Sequence, residues 1–73
     1  MDAKYPHVSI GDGTEPIFLI RAQDCAALPT LERYLVTCVA SGSPSSHLTE
    51  VEEQIRRFEA WQAEHPDRVK VPD

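Results

Sequence analysis

The chain is poor in most of the features that would announce a chemistry. It has only two cysteines in 73 residues, Cys25 and Cys38. One disulfide is arithmetically possible, but a zinc site needs paired short spacings, and His7, His47 and His65 lie on separate segments. No metal and no cofactor are therefore expected. The longest apolar run, Ile17 to Ile20, is far too short for a membrane span, and Met1-Asp2-Ala3-Lys4-Tyr5-Pro6 lacks the apolar heart of a signal peptide. The expectation is a cytoplasmic protein whose cysteines stay as thiols.

Positive charge is also scarce. Seven Lys and Arg against twelve Asp and Glu leave a formal charge of −5. Sequence-independent nucleic-acid binding depends on clustered cations that neutralise phosphates, and only Arg56-Arg57 clusters here, so no nucleic-acid partner is expected. Gly11-Asp12-Gly13-Thr14 superficially invites a phosphate-loop reading. It leads into an apolar block instead of a helix and lacks the loop's lysine, so a plain turn is the better reading.

What is present fits one small domain. A hydrophobic fraction of 41% and a charged fraction of 26% are those of a globular protein. A chain of 8.2 kDa hides only roughly 60% of its extended surface on folding, so its core is thin. So small a scaffold offers little support for a preorganised catalytic site. Cys25 could sit at a helix N-terminus, but Asp24 beside it opposes thiolate formation. Glu52 and Glu53 are adjacent on a helix and point apart, which rules them out as a paired acid and base. No catalytic residue is assigned, and the chain is read as a non-enzyme.

Hydrophobic spacing defines the elements. Val8 and Ile10 alternate within a first strand over 7–10, and the compact block Ile17-Phe18-Leu19-Ile20 predicts a second over 17–21, covered on both faces. Asp24 can cap a helical turn, and Pro29 suits the first position of a helix over 29–41. Leu28, Leu31, Leu35 and Cys38 form its stripe, flanked by Tyr34 and Val39, and Gly42 ends it. A second helix over 47–64 carries Leu48, Val51, Ile55 and Phe58 on one face. Ser46 or Thr49 serves as its N-cap, with Glu52 completing a capping box. Acidic residues crowd its first turn, Glu52 to Arg56 and Glu53 to Arg57 pair along it, and His65-Pro66 stops it. The tail 66–73 alternates charge and valine, and either returns as an edge strand beside Ile17 to Ile20 or stays frayed. The fold class so predicted is α+β: one or two N-terminal strands packed on an antiparallel two-helix hairpin, with a possible short C-terminal strand.

Two candidate sites emerge. Trp61, with Phe58 and Ala60, extends the second helix's apolar surface past its stripe, since Gln62 stands where the next stripe residue was due, and Arg57 is next to that patch. Trp and Arg are enriched at interface centres, so this end is the expected docking site for another protein. The alternative is an oligomeric binder of a nucleotide-like metabolite, with Arg21 or Arg33 holding an anion and Tyr34 or Trp61 stacking a ring. Arg21-Ala22-Gln23-Asp24 also reads as a corner that an Arg21 to Asp24 bond would fix. A thin core predicts self-association, as a homodimer or higher oligomer.

The blocks Glu15-Pro16-Ile17-Phe18-Leu19-Ile20-Arg21-Ala22-Gln23-Asp24, Phe58-Glu59-Ala60-Trp61 and Val69-Lys70-Val71-Pro72-Asp73 resemble those of small accessory proteins of tailed phages and prophages. The resemblance covers the apolar block, the end of the second helix and the tail, and it carries over no ligand or catalytic residue. It implies a bacterial cytoplasm and an accessory role, including inhibition of a host defence system through a bacterial protein partner.

Overall fold

The computed structural model describes residues 13–72. They form a helical hairpin: α1 (Ala27–Ser41) and α2 (Ser45–Glu64) pack against each other, and a single 3-10 turn (Pro66–Arg68) follows. Among the described residues there is no strand, and one isolated parallel bridge, Asp24 to Lys70, is all the β pairing present. The architecture is all-α, which corrects the α+β expectation. The strand predicted over 7–10 lies outside the described residues.

The block 17–21 is not a strand, and among the described residues nothing pairs with it. Four apolar residues become a strand only when a neighbour supplies a hydrogen-bond ladder and packing across it. The tail does return, but it reaches 23–25 instead: the Lys70 amide donates to the Gln23 carbonyl and the Cys25 amide to the Lys70 carbonyl, both at 2.8 Å. Nor is the block covered on both faces. Leu19 and Ile20 are half-buried, whereas Ile17 is 39% and Phe18 87% exposed.

α1 begins two residues earlier than its proline signal indicated. Pro29 occupies the third helical position, where its missing N–H would have lacked a helical partner in any case. Asp24 contributes its main-chain carbonyl, which accepts the Ala27 amide at 3.0 Å, and its side chain makes no cap. The other end follows expectation. Gly42 adopts φ +79°, and the Ser43 amide reaches the Cys38 carbonyl at 3.0 Å while that of Gly42 reaches Val39 at 3.2 Å. This paired closure requires a left-handed residue after the helix.

α2 also starts early. Pro44, at φ −60°, stands as its N-cap, and its carbonyl accepts the His47 and Leu48 amides. The connection is so short that Ser46 and Thr49 fall inside the helix. Thr49 donates its hydroxyl to the Ser45 carbonyl at 3.0 Å instead of capping, so the capping box does not form, and the first turn holds no acidic residue. Arg56 pairs with Glu53 at 2.7 Å, not with Glu52, and Arg57 lies 3.6 Å from the same carboxylate. First Arg56 and then Arg57 hold the Glu53 carboxyl below its usual range. That contribution is present above the unfolded-state value and lost as pH falls through the folded one, and with all three side chains well exposed it is small.

The apolar stripes meet as their spacing demands. Ala27, Cys38 and Val51 are buried, while Leu28, Leu31, Leu35, Leu48, Ile55 and Phe58 are half-buried. Both cysteines are free thiols, Cys38 in the seam and Cys25 exposed. No helix among the described residues is long and apolar enough to cross a membrane.

A Cβ built on Gly42 meets nothing within 4 Å, so Gly42→Ala tests the backbone requirement alone. It is expected to destabilise the hairpin by about 1 kcal/mol, lowering Tm by about 4–8 °C in a thermal melt. An unchanged Tm would show that the left-handed turn is not needed.

Candidate functional site

The end of the hairpin away from its connection collects the chain's least expected arrangement. α2 finishes at Glu64, and His65 turns the chain so that its ring stacks on Trp61, with centroids 4.3 Å apart and planes 22° from parallel. His65 is fixed there twice: its amide donates to the Trp61 carbonyl at 3.0 Å, and its Nδ1 lies 2.9 Å from the same oxygen. The 3-10 turn, closed by the Arg68 amide on the His65 carbonyl at 2.9 Å, brings the Arg68 guanidinium over the indole, 5.1 Å from its centroid. A cation over an aromatic face is attracted by the ring quadrupole.

Gln62 explains its own place in the apolar stripe. Its Nε2 donates to the Ala22 carbonyl at 2.9 Å and reaches the Asp24 carbonyl at 3.4 Å, in partly buried surroundings. The amide thus satisfies main-chain acceptors of a tight turn, itself closed by the Asp24 amide on the Arg21 carbonyl at 3.0 Å. The corner foreseen at 21–24 exists, but main chain and Gln62 secure it, with no Arg21 to Asp24 side-chain bond.

Between these parts opens a depression of about 370 Å³ lined by Arg21, Ala22, Gln23, Trp61 and Arg68. Neither Arg21 nor Arg68 has a carboxylate partner among the described residues. On a chain of net charge −5, one open hollow therefore carries two guanidiniums beside an indole, neither compensated by a carboxylate of the described residues. Such a surface can hold an anionic group by charge-assisted hydrogen bonds while the ring takes apolar contact.

The predicted site residues are partly regrouped. Arg57 is engaged with Glu53 and lines a different depression, with His47, Thr49, Glu50, Val51 and Gln54. Phe58 is half-buried on the stripe that faces α1 and does not line the hollow. Trp61 is thus the one member of that trio at the hollow. Of the alternative set, Arg21 and Trp61 are brought together, whereas Arg33 is exposed on α1 and lines none of it. Tyr34 sits edge-on to His47, centroids 5.9 Å apart, its hydroxyl 3.0 Å from Nε2. Its hydroxyl is therefore already committed, and hydrogen bonding to Cys38 further raises the phenol's pKa. Sequence reasoning missed Arg68 and the role of Gln62. The polar interruption of the stripe beside a tryptophan was the available signal for Gln62. Among the described residues no three His, Cys, Asp or Glu side chains gather closely enough to hold a metal ion.

Replacing Gln62 by leucine would restore the apolar stripe, yet it should destabilise the protein by about 1–2 kcal/mol because turn carbonyls lose their donor. Denaturant melts, together with faster amide exchange at Cys25 and Lys70, check this. A variant as stable as the parent would contradict it. Comparison with protein-family models, curated proteins and solved structures finds no match to this chain.

Proposed function

We propose that this chain is a non-enzymatic protein-binding module that captures an acidic segment of another protein at the Arg21, Trp61 and Arg68 hollow. The observation that carries the reading is the pair of guanidiniums without carboxylate partners among the described residues, set around an indole on an otherwise acidic chain. Arg and Trp are the residue types that supply most of the binding energy at interface centres. Phe18, 87% exposed and three residues before Arg21, adds an apolar contact that a protein partner could cover. The fitting ligand is a segment in which Asp or Glu stands beside an apolar residue. On the resemblance to phage accessory proteins, the partner is a bacterial host protein met in the cytoplasm, and its inhibition is the accessory role.

A metabolite-binding reading draws on the same cluster, since two arginines and a ring also suit a nucleotide-like anion. The openness of the hollow weighs against it, because small-ligand sites enclose most of the ligand surface.

Selection of peptides from a random display library on the purified protein separates the two. Selected peptides are expected to be acidic with an interspersed apolar residue. Binding should weaken about tenfold in Arg21→Ala and in Arg68→Ala, weaken more in Trp61→Ala, and fall as salt rises. Circular dichroism confirms that each variant is folded. Neutral or basic selected peptides, or binding indifferent to these substitutions, would contradict the proposal. Micromolar quenching of Trp61 fluorescence by nucleotides would favour the metabolite reading.

A further inference from the structure

Residues 15–20 lie in no helix, and none of them makes a hydrogen bond among the described residues. Their composition is nonetheless that of a pairing segment, since Ile17, Phe18 and Ile20 are of the β-branched and aromatic types that a main-chain ladder favours. Leu19 and Ile20 are half-buried, whereas Ile17 is 39% and Phe18 87% exposed. Apolar side chains and an unpaired main chain thus meet solvent together, the condition in which a segment takes up a second chain along its edge. Glu15 at one end and Arg21 at the other are exposed, and neither has an oppositely charged partner among the described residues.

We propose that two copies of this chain pair through this segment, antiparallel across a two-fold axis at Phe18. The single chain remains a helical hairpin, and the ladder exists only between copies. With Phe18 on the axis, Ile17 of each copy stands opposite Leu19 of the other, Pro16 opposite Ile20, and Glu15 opposite Arg21. Charge selects this register. Directly facing side chains have Cβ atoms about 4.5–5.5 Å apart, so one operation forms an ion pair at each end, as a self-complementary contact requires. A shift of one residue either way sets Glu15 opposite Ile20 or Ala22 and loses both pairs. Proline selects it too. Facing residues alternate between hydrogen-bonded and non-bonded pairs. When Ile17 and Leu19 exchange the hydrogen bonds, Pro16 and Phe18 fall at non-bonded positions, so the missing Pro16 N–H costs the ladder nothing. The outer edge is then the one short of a donor, which discourages a third copy. The closely spaced non-bonded pair is also the one that brings the two Phe18 rings together. The Arg21 carbonyl already accepts the Asp24 amide, so Arg21 joins through its side chain. A foreign segment would have to carry an acid and a base in the order and spacing that Glu15 and Arg21 already have. So short a ladder binds weakly. Arg21 serves either the second copy's Glu15 or the hollow, so paired copies should bind an acidic segment more weakly. That consequence rests on the proposed function, whereas the pairing does not.

Sedimentation of the full chain is expected to move from 8.2 kDa at about 10 μM towards twice that mass at about 1 mM. In a mixture of labelled and unlabelled copies, isotope-filtered magnetic resonance should find the Ile17 amide of one copy close to the Leu19 amide of the other. Ile17→Pro removes a ladder donor that the single chain does not use, so association should be lost with helical circular dichroism retained. If that variant unfolds, the charges decide. Glu15→Arg and Arg21→Glu should each weaken association about tenfold, and the two together should restore it, because the pairs re-form with reversed sign. A chain that stays at 8.2 kDa throughout, or a mass that climbs past twice that value, overturns the proposal. So does a folded Ile17→Pro variant that still associates, a contact between copies at residues other than these, or a charge-reversed pair no better than its singles. Trp61→Ala and Arg68→Ala should leave the mass unchanged while weakening peptide capture, so failure of this contact and failure of the peptide-binding reading are read separately.

Discussion

Two helices can bury one stripe each against the other, and that constraint governs the rest of this molecule. The α1 and α2 seam holds Ala27, Cys38 and Val51 as its buried residues, and the other stripe positions stay half-exposed. With no sheet among the described residues, order elsewhere in them comes from polar closures more than from further apolar burial. The left-handed turn at Gly42 closes one end. Gln62 and the Asp24 to Lys70 bridge close the other, tying three distant stretches of chain with a handful of hydrogen bonds. Each such bond contributes little net stability, but an unpaired carbonyl in partly buried surroundings costs more than the bond contributes. Loss of one of these closures therefore matters more than its single distance implies.

That economy also explains why the interesting chemistry sits at the open end. The chain leaves α2 through His65-Pro66, turns once, and runs back beside residues 23–25. The turn places Arg68 over Trp61, and the returning tail fixes the loop that carries Arg21. A structural device, fastening the terminus to the loop before α1, thereby concentrates two guanidiniums and an indole in one hollow. The closures and the hollow depend on the same few residues here, so a substitution at Gln62 would disturb both.

The helices were legible from sequence because Leu28, Leu31, Leu35 and Cys38 on one segment and Leu48, Val51, Ile55 and Phe58 on the other follow a period near 3.6, which burial on one side imposes. Gly42 and the His65-Pro66 stop were legible for local stereochemical reasons. The strand over 17–21 was misread because composition reports what a segment could do in a sheet, and the required neighbour is absent among the described residues. The start of α2 was misplaced because Pro44, already extended at φ −60°, ψ 149°, takes the cap position before Ser46 or Thr49 can. Trp61 and Arg21 were visible as residue types, but Arg68 joins them only through the return of the tail, a non-local event with no spacing signature. Gln62 was visible as an anomaly in the stripe, and its acceptors, thirty-eight and forty residues away, were not.

The central claim is that polar closures at the open end of the hairpin set Arg21, Arg68 and Trp61 around one hollow, the surface proposed to take an acidic segment. Nuclear magnetic resonance with a soluble paramagnetic agent tests it most directly, by reading solvent access at single groups as an acidic peptide with an interspersed apolar residue is added. The account predicts that the Trp61 ring signals lose solvent access on addition of the peptide, while the Val36 and Val39 methyl signals stay equally accessible throughout. Trp61 signals whose access does not change, or valine methyls shielded in their place, would contradict it.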